Sequence, residues 1–167
     1  LKEPKFLDDA THRAQVLASI RDKIMNAPLD PEFESKLNNA LAPLASKGTR
    51  GLFVRSSTNA EDLAGFNGAG LYDTVPNVKG AKELSAAVRK VWASVWNLRA
   101  YEERQYFGIE HRQVYGAVLI QIGVNASAAG VLVTANIFEP EEEGTYTINA
   151  KSGLGMRVVQ GKRVPEQ

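Results

Sequence analysis

An arginine and two hydroxyls, Arg55-Ser56-Ser57, end the apolar run that starts at Gly51 and open into a stretch of small residues with Asn59, Gly65, Asn67, Gly68 and Gly70. A guanidinium at the end of a strand can hold a phosphate through two parallel N–H bonds. Serine hydroxyls and glycine N–H groups can complete an anion cradle around it. The plainer alternative is a surface arginine in a salt bridge beside a glycine loop. A Walker loop is excluded, because no G-x-x-x-x-G-K-[ST] pattern occurs. A second glycine pair, Gly153-Leu154-Gly155, precedes Val158-Val159-Gln160-Gly161. It permits close backbone approach to a ligand, or equally a tight turn between strands. His111 has no Ser or Asp pattern around it and reads as a structural or surface histidine, not a base or phosphoryl carrier. Glu139, Glu141, Glu142 and Glu143 lie around Pro140 and Gly144 and read as a solvated turn, since hard-metal sites draw ligands from separate elements.

The bulk composition narrows the field. The chain has 167 residues, enough for one domain with a core, and 44% of them are hydrophobic. Twenty Lys and Arg against 19 Asp and Glu leave a formal charge of +1, without the basic excess of a nucleic-acid binder. There is no cysteine, which excludes disulfides and thiolate metal sites, and the two histidines, His12 and His111, are too few for a zinc site. Runs such as 117–120 and 130–133 are too short to span a bilayer. The chain opens Leu-Lys-Glu-Pro-Lys, without an initiator Met or the apolar core of a signal peptide, and stops just after a glycine-rich segment. Both ends therefore read as cut, and a cytoplasmic location is expected. Oligomeric state is not legible.

The elements that must position these groups follow from periodicity. Leu17, Ile20 and Ile24 form one helical face, with Asp8, Asp9 or Thr11 as caps. Asp30-Pro31 starts a second helix striped by Phe33, Leu37, Leu41 and Leu44, which Pro43 should kink or end. Residues 51–57 read as a buried strand, 58–73 as a loop, and 72–78 as a short strand closed by a Pro76-Asn77 turn. Leu84, Val88, Val91, Val95 and Leu98, widened by Trp92 and Trp96, predict one long helix over 81–107 that stops at Gly108. Its Trp stripe reads as core. Strands are expected over 114–122, 130–134 and 145–150. The fold class is then α+β: a helical segment at 1–50, followed by a mostly antiparallel sheet with a long Trp-bearing helix over 51–167.

Four blocks in a fixed order resemble one family. They are Val-Arg-Ser-Ser-Thr-Asn-Ala-Glu-Asp-Leu (54–63), Gly-Ala-Gly-Leu-Tyr-Asp-Thr (68–74), Val-Trp-Ala-Ser-Val-Trp-Asn-Leu-Arg-Ala (91–100) and Gly-Val-Leu-Val-Thr (130–134). Together they resemble the nucleotide-binding domain of the pyruvate phosphate dikinase and phosphoenolpyruvate synthase superfamily, which glucan water dikinases and rifampicin phosphotransferases share. The second block and residues 97–104 look nearest to glucan water dikinases and uncharacterised bacterial dikinase-like proteins. The resemblance implies an ATP-grasp-like subdomain over 51–167 in which ATP, with Mg²⁺, phosphorylates a histidine on a separate carrier domain of the same full-length chain. Position by position it implies Arg55 as the phosphate-binding and catalytic arginine. Gly68, Gly70 and Thr74 match the loop over the phosphates, and Gln121-Ile122-Gly123 the hinge that meets adenine through its backbone. Asn149 and Gln160 fall near positions that hold Mg²⁺ or the phosphates, and Arg163, in Gly161-Lys-Arg163-Val-Pro165, is a second phosphate ligand.

Three departures set the limits of that expectation. Met156 stands where many members carry Glu, and a thioether is a poor Mg²⁺ ligand. No segment before Arg55 resembles the family's lysine-bearing, glycine-rich lobe. His111 does not match the carrier histidine. The expected function is thus an ATP-binding fragment of a dikinase-like phosphotransferase, inactive in isolation, whose final acceptor is not legible. A degenerate nucleotide-binding or regulatory module and a pure docking domain are the alternatives.

Overall fold

The computed structural model describes residues 3–45, 51–63, 65–68, 70–139 and 141–155. The chain forms two compact units, residues 1–123 and 124–167. The boundary expected at residue 50 falls inside the first.

The first unit opens with a short helix α1 (Pro4–Asp8), then α2 (Ala10–Asn26) and α3 (Pro31–Ala45). Asp9 caps α2 by accepting the N–H groups of Thr11 and His12 at 2.9 and 3.0 Å. The His12 N–H, the largest influence, helps to hold the Asp9 carboxyl below its usual value. Asp30 caps α3 through the Phe33 N–H at 2.8 Å. Pro43 does not end α3, which runs to Ala45. It lies inside the helix and costs it one N–H bond to the carbonyl four residues back.

The sheet of this unit has β1 (Leu52–Ser56) in the middle, between β4 (Thr74–Val78) and β5 (Val118–Ile122), all antiparallel. A two-residue hairpin, β2 (Asp62–Leu63) with β3 (Phe66–Asn67), lies within the expected loop. Pro76 and Asn77 do not close β4 as a turn but lie inside it. The register slips there, with Leu52 facing Val78 and Val54 facing Val75, and Asn77 takes a φ of 60°. The extra residue makes a bulge, which an Asn tolerates and which a Pro without an N–H does not oppose.

Helix α4 (Gly80–Ser94) covers one sheet face. Leu84, Ala87, Val88 and Val91 pack on Leu52, Val54 and Val78, and Leu37, Leu41 and Leu44 of α3 close over them. The single helix expected over 81–107 is in fact two, because α5 (Leu98–Tyr106) starts after a break. Val95, Trp96 and Asn97 make tight N–H bonds three residues back, and Asn97 turns extended at ψ 141°. The break is tied from outside: the Ser94 hydroxyl accepts the Asp73 N–H at 2.9 Å, and the Asn97 amide donates to the Leu71 carbonyl at 3.3 Å. Gly108, at φ 67°, ends α5 as expected.

In the second unit β6 (Ala128–Val133) pairs antiparallel with β7 (Thr147–Ser152), with Leu132 facing Ile148 and Val131 facing Asn149. The acidic turn between them is exposed, and Asn136 holds it by accepting the Phe138 and Glu139 N–H groups. Mixed helices and antiparallel sheets make the chain α+β. No helix of the described residues is long and apolar enough to cross a membrane.

Candidate functional site

The alternation of β1 sorts its side chains onto two faces. Leu52 and Val54 point to the core, whereas Phe53 and Arg55 point the other way. Register carries the alternation to the neighbours. Arg55 faces Thr74 on β4 and Leu119 on β5, and Phe53 faces Gln121. One outer face therefore carries Phe53, Arg55, Thr74, Leu119 and Gln121, with Leu119 49% exposed. Arg55 is exposed and makes no ion pair or side-chain hydrogen bond among the described residues. The salt-bridge alternative for Arg55 thus has no partner there, and the cation is left pointing off the sheet.

The chain leaves β1 into a tightly bonded turn. The Ser57 N–H continues the ladder to Ala117 at 3.0 Å. Glu61 then accepts the Ser56 hydroxyl at 3.4 Å and the Thr58 N–H at 3.2 Å, while the Ala60 N–H bonds the Thr58 hydroxyl at 3.3 Å. Gly68 returns to this turn and donates its N–H to the Glu61 carbonyl at 2.8 Å. A Cβ at Gly68 would stand 3.1 Å from the Glu61 Cα and carbonyl oxygen, so only glycine passes without a shift. Its contribution is close approach, since its N–H is already used. Gly70 is exposed at φ 76°. Glu61 and Asn59, which bonds across to residues 113–115, are the structural centre of this turn. No local pattern marks Asn59, because its partners are distant in sequence.

At the other end of the sheet Gly123 is buried and donates its N–H to the Gly51 carbonyl at 2.8 Å. In an antiparallel ladder the inward and outward peptide groups alternate. Gly123 and Gln121 therefore turn their backbone to β1, and the N–H and C=O of Ile122 face the open edge of β5. Of residues 121–123, Ile122 offers its backbone and Gln121 its side chain.

Asn149 lies half-buried on β7 of the second unit, and its buried Oδ1 finds no hydrogen-bond partner among the described residues. An orphaned amide oxygen is a hard acceptor, fit for a cation or an N–H donor. No cluster of three or more His, Asp or Glu suited to a metal exists among the described residues. Met156, Gln160 and Arg163 lie outside the described residues.

His111 is not part of this face. It sits in a single 3-10 turn (His111–Gln113), stacked on the Tyr101 ring at 4.1 Å between centroids. Its Nδ1 accepts from Arg104 Nε at 3.3 Å, and its Nε2 pairs with Gln105 Oε1 at 3.1 Å. Both ring nitrogens are engaged, which is the structural role.

Comparison with known proteins agrees with the order of the motifs. The family model of the pyruvate phosphate dikinase AMP/ATP-binding domain matches residues 3–167. A probable phosphoenolpyruvate synthase of Pyrococcus horikoshii is 34% identical over 164 residues, covering 96% of this chain and 20% of that protein. Phosphoenolpyruvate synthase of Escherichia coli is also 34% identical, over 96% of this chain and 21% of the relative. A rifampicin phosphotransferase of a Streptomyces species is 36% identical over 89% of this chain and 17% of its own length. The chain spans about a fifth of the length of the curated relatives it matches. With the family model matching almost from end to end, the chain belongs to the pyruvate phosphate dikinase AMP/ATP-binding domain family.

Proposed function

We propose that the outer face of the β4–β1–β5 sheet holds ATP, and that within a longer chain of ATP-grasp-like architecture this site passes a phosphoryl group to a carrier histidine. The observation that carries this is Arg55: an exposed cation on the central strand, unpaired among the described residues, beside a turn that Gly68 joins at close range. Arg55 would grip the phosphates, Thr74 opposite it would offer a hydroxyl, and the Gly68–Gly70 loop would lie over them. The adenine edge would meet the outward peptide of Ile122 and the side chain of Gln121, with Gly123 keeping that end of the sheet narrow. The resemblance also makes Arg163 a phosphate ligand. Phosphoryl transfer asks the protein for positioning and charge neutralisation more than for covalent chemistry, and this set is of that kind. The resemblance assigns Mg²⁺ to Asn149, whose Oδ1 has no hydrogen-bond partner among the described residues, and to Gln160; the ion would supply neutralisation of phosphate charge. His111 is not the acceptor in this reading, since both its nitrogens are bonded internally. A cytoplasmic location belongs to the same proposal.

One observation favours a second reading, a nucleotide-binding module without transfer: Met156 stands where many of the superfamily carry Glu. Both readings need the phosphate grip. Arg55→Ala should weaken ATP binding by about tenfold or more, the scale of one lost charge-assisted contact, with an unchanged thermal midpoint. Titration calorimetry would read it. Unaltered affinity would remove Arg55 from the site.

A further inference from the structure

We propose that Asn59 is the positioning residue of this site: its side-chain amide extends the β1–β5 ladder and so fixes the turn between Arg55 and the glycine loop. The proposal rests on the reading of the outer face as a phosphate site. The backbone ladder ends with Ser56 facing Val118 and one further bond from Ser57 to Ala117. Beyond that point the Ala117 N–H turns back to the Tyr115 carbonyl, and the two chains lose their register. Asn59 bridges the gap. Its Nδ2 donates to the Gln113 carbonyl at 2.8 Å, and its Oδ1 accepts the Tyr115 N–H at 2.8 Å. A primary amide carries a donor and an acceptor side by side, as a peptide group does, so it replaces one missing rung.

Asn59 itself is exposed and fills no core position. What it anchors is the turn whose other bonds are local: the Glu61 N–H and carboxylate close on Thr58, and the Gly68 N–H closes on the Glu61 carbonyl. The order of attachment runs from Asn59 to Glu61 to Gly68. Without the Asn59 bridge, this chain of contacts is tied to the sheet, among the described residues, through Ser57 and the long 3.4 Å bond from the Ser56 hydroxyl to Glu61. Its position relative to Arg55 would then vary, and an anion held by both would lose one wall.

The position makes a distinction that a purely structural residue would not. Phosphates meet this turn, whereas the nucleoside meets the far end of β5. On the 167-residue chain, Asn59→Ala should weaken ATP binding about tenfold and leave adenosine binding within about twofold of the parent. In the same variant the Tyr115 amide should exchange with deuterium faster, because its acceptor is gone. An equal loss for ATP and adenosine would make Asn59 merely structural and overturn the proposal. Undiminished ATP affinity would overturn it too. Arg55→Ala, measured alongside, tests the parent reading separately. If that variant binds ATP normally, the arginine assignment fails, while the Asn59 result is still read from the ATP-to-adenosine split.

Discussion

Arg104 is fully buried, and no carboxylate pairs with it among the described residues. Its guanidinium donates to the Val95 carbonyl at 2.7 Å, the Tyr72 hydroxyl at 3.3 Å and His111 Nδ1 at 3.3 Å, and it lies 6.0 Å from the Trp96 ring centroid. A buried cation satisfied only by neutral groups tolerates no second cation beside it. Burial first, and Arg104 second, push the His111 pKa below its ordinary value, against the pull of Glu110, which also pairs with Arg112 at 3.5 Å. The folded state thus binds fewer protons at this site than the unfolded chain. The stability it contributes is full above the ordinary value of 6.5 and declines as pH falls below it. The thermal midpoint should drop on acidification from that point, and His111→Gln should flatten the slope. A slope identical in the variant would assign the titration elsewhere. The sequence shows His111 with no Ser or Asp pattern around it, but it does not show Arg104 behind it. Asn59 is hidden for the same reason, since a polar side chain in a loop reveals nothing about partners more than 50 residues away.

Among the elements, the helices of the first 45 residues are part of the core of the first unit. Leu17 of α2 packs with Phe6 and Tyr101, fully buried, and Phe33 of α3 meets Trp92 at 5.7 Å. Leu17→Ala should cost about 2–5 kcal/mol, the usual range for emptying such a site, and chemical denaturation would read it. A loss below about 0.5 kcal/mol, the level of an ordinary surface change, would mean that α2 is an appendage. Strands β1 and β5 and the starts of α2 and α3 were legible, because apolar runs and Asp caps are local signals. The break between α4 and α5 was not. Val91, Val95 and Leu98 keep their helical phase across it, and what interrupts them is bonding of Ser94 and Asn97 to residues 71–73. The bulge at Asn77 escaped for a related reason: Pro-Asn signals a turn unless a neighbouring strand captures it.

For the whole molecule, the four ordered blocks carried the family, and the match over residues 3–167 bears it out. The individual site residues are a finer matter. Arg55, Thr74 and Gln121 come to one face, because register alone sets three neighbouring strands in line. Gly68 and Gly123 contribute space, their N–H groups being spent on Glu61 and Gly51. The central claim is that this outer face receives the nucleotide. It is tested most directly by titrating ATP into the isotope-labelled chain and following each backbone amide, together with the Arg55 side-chain Nε–H, by NMR. The account predicts that the Arg55 Nε–H and the amides of Thr74, Leu119 and Ile122 shift together and saturate with one affinity. Saturable shifts confined to other surfaces, with these groups unmoved, would contradict it.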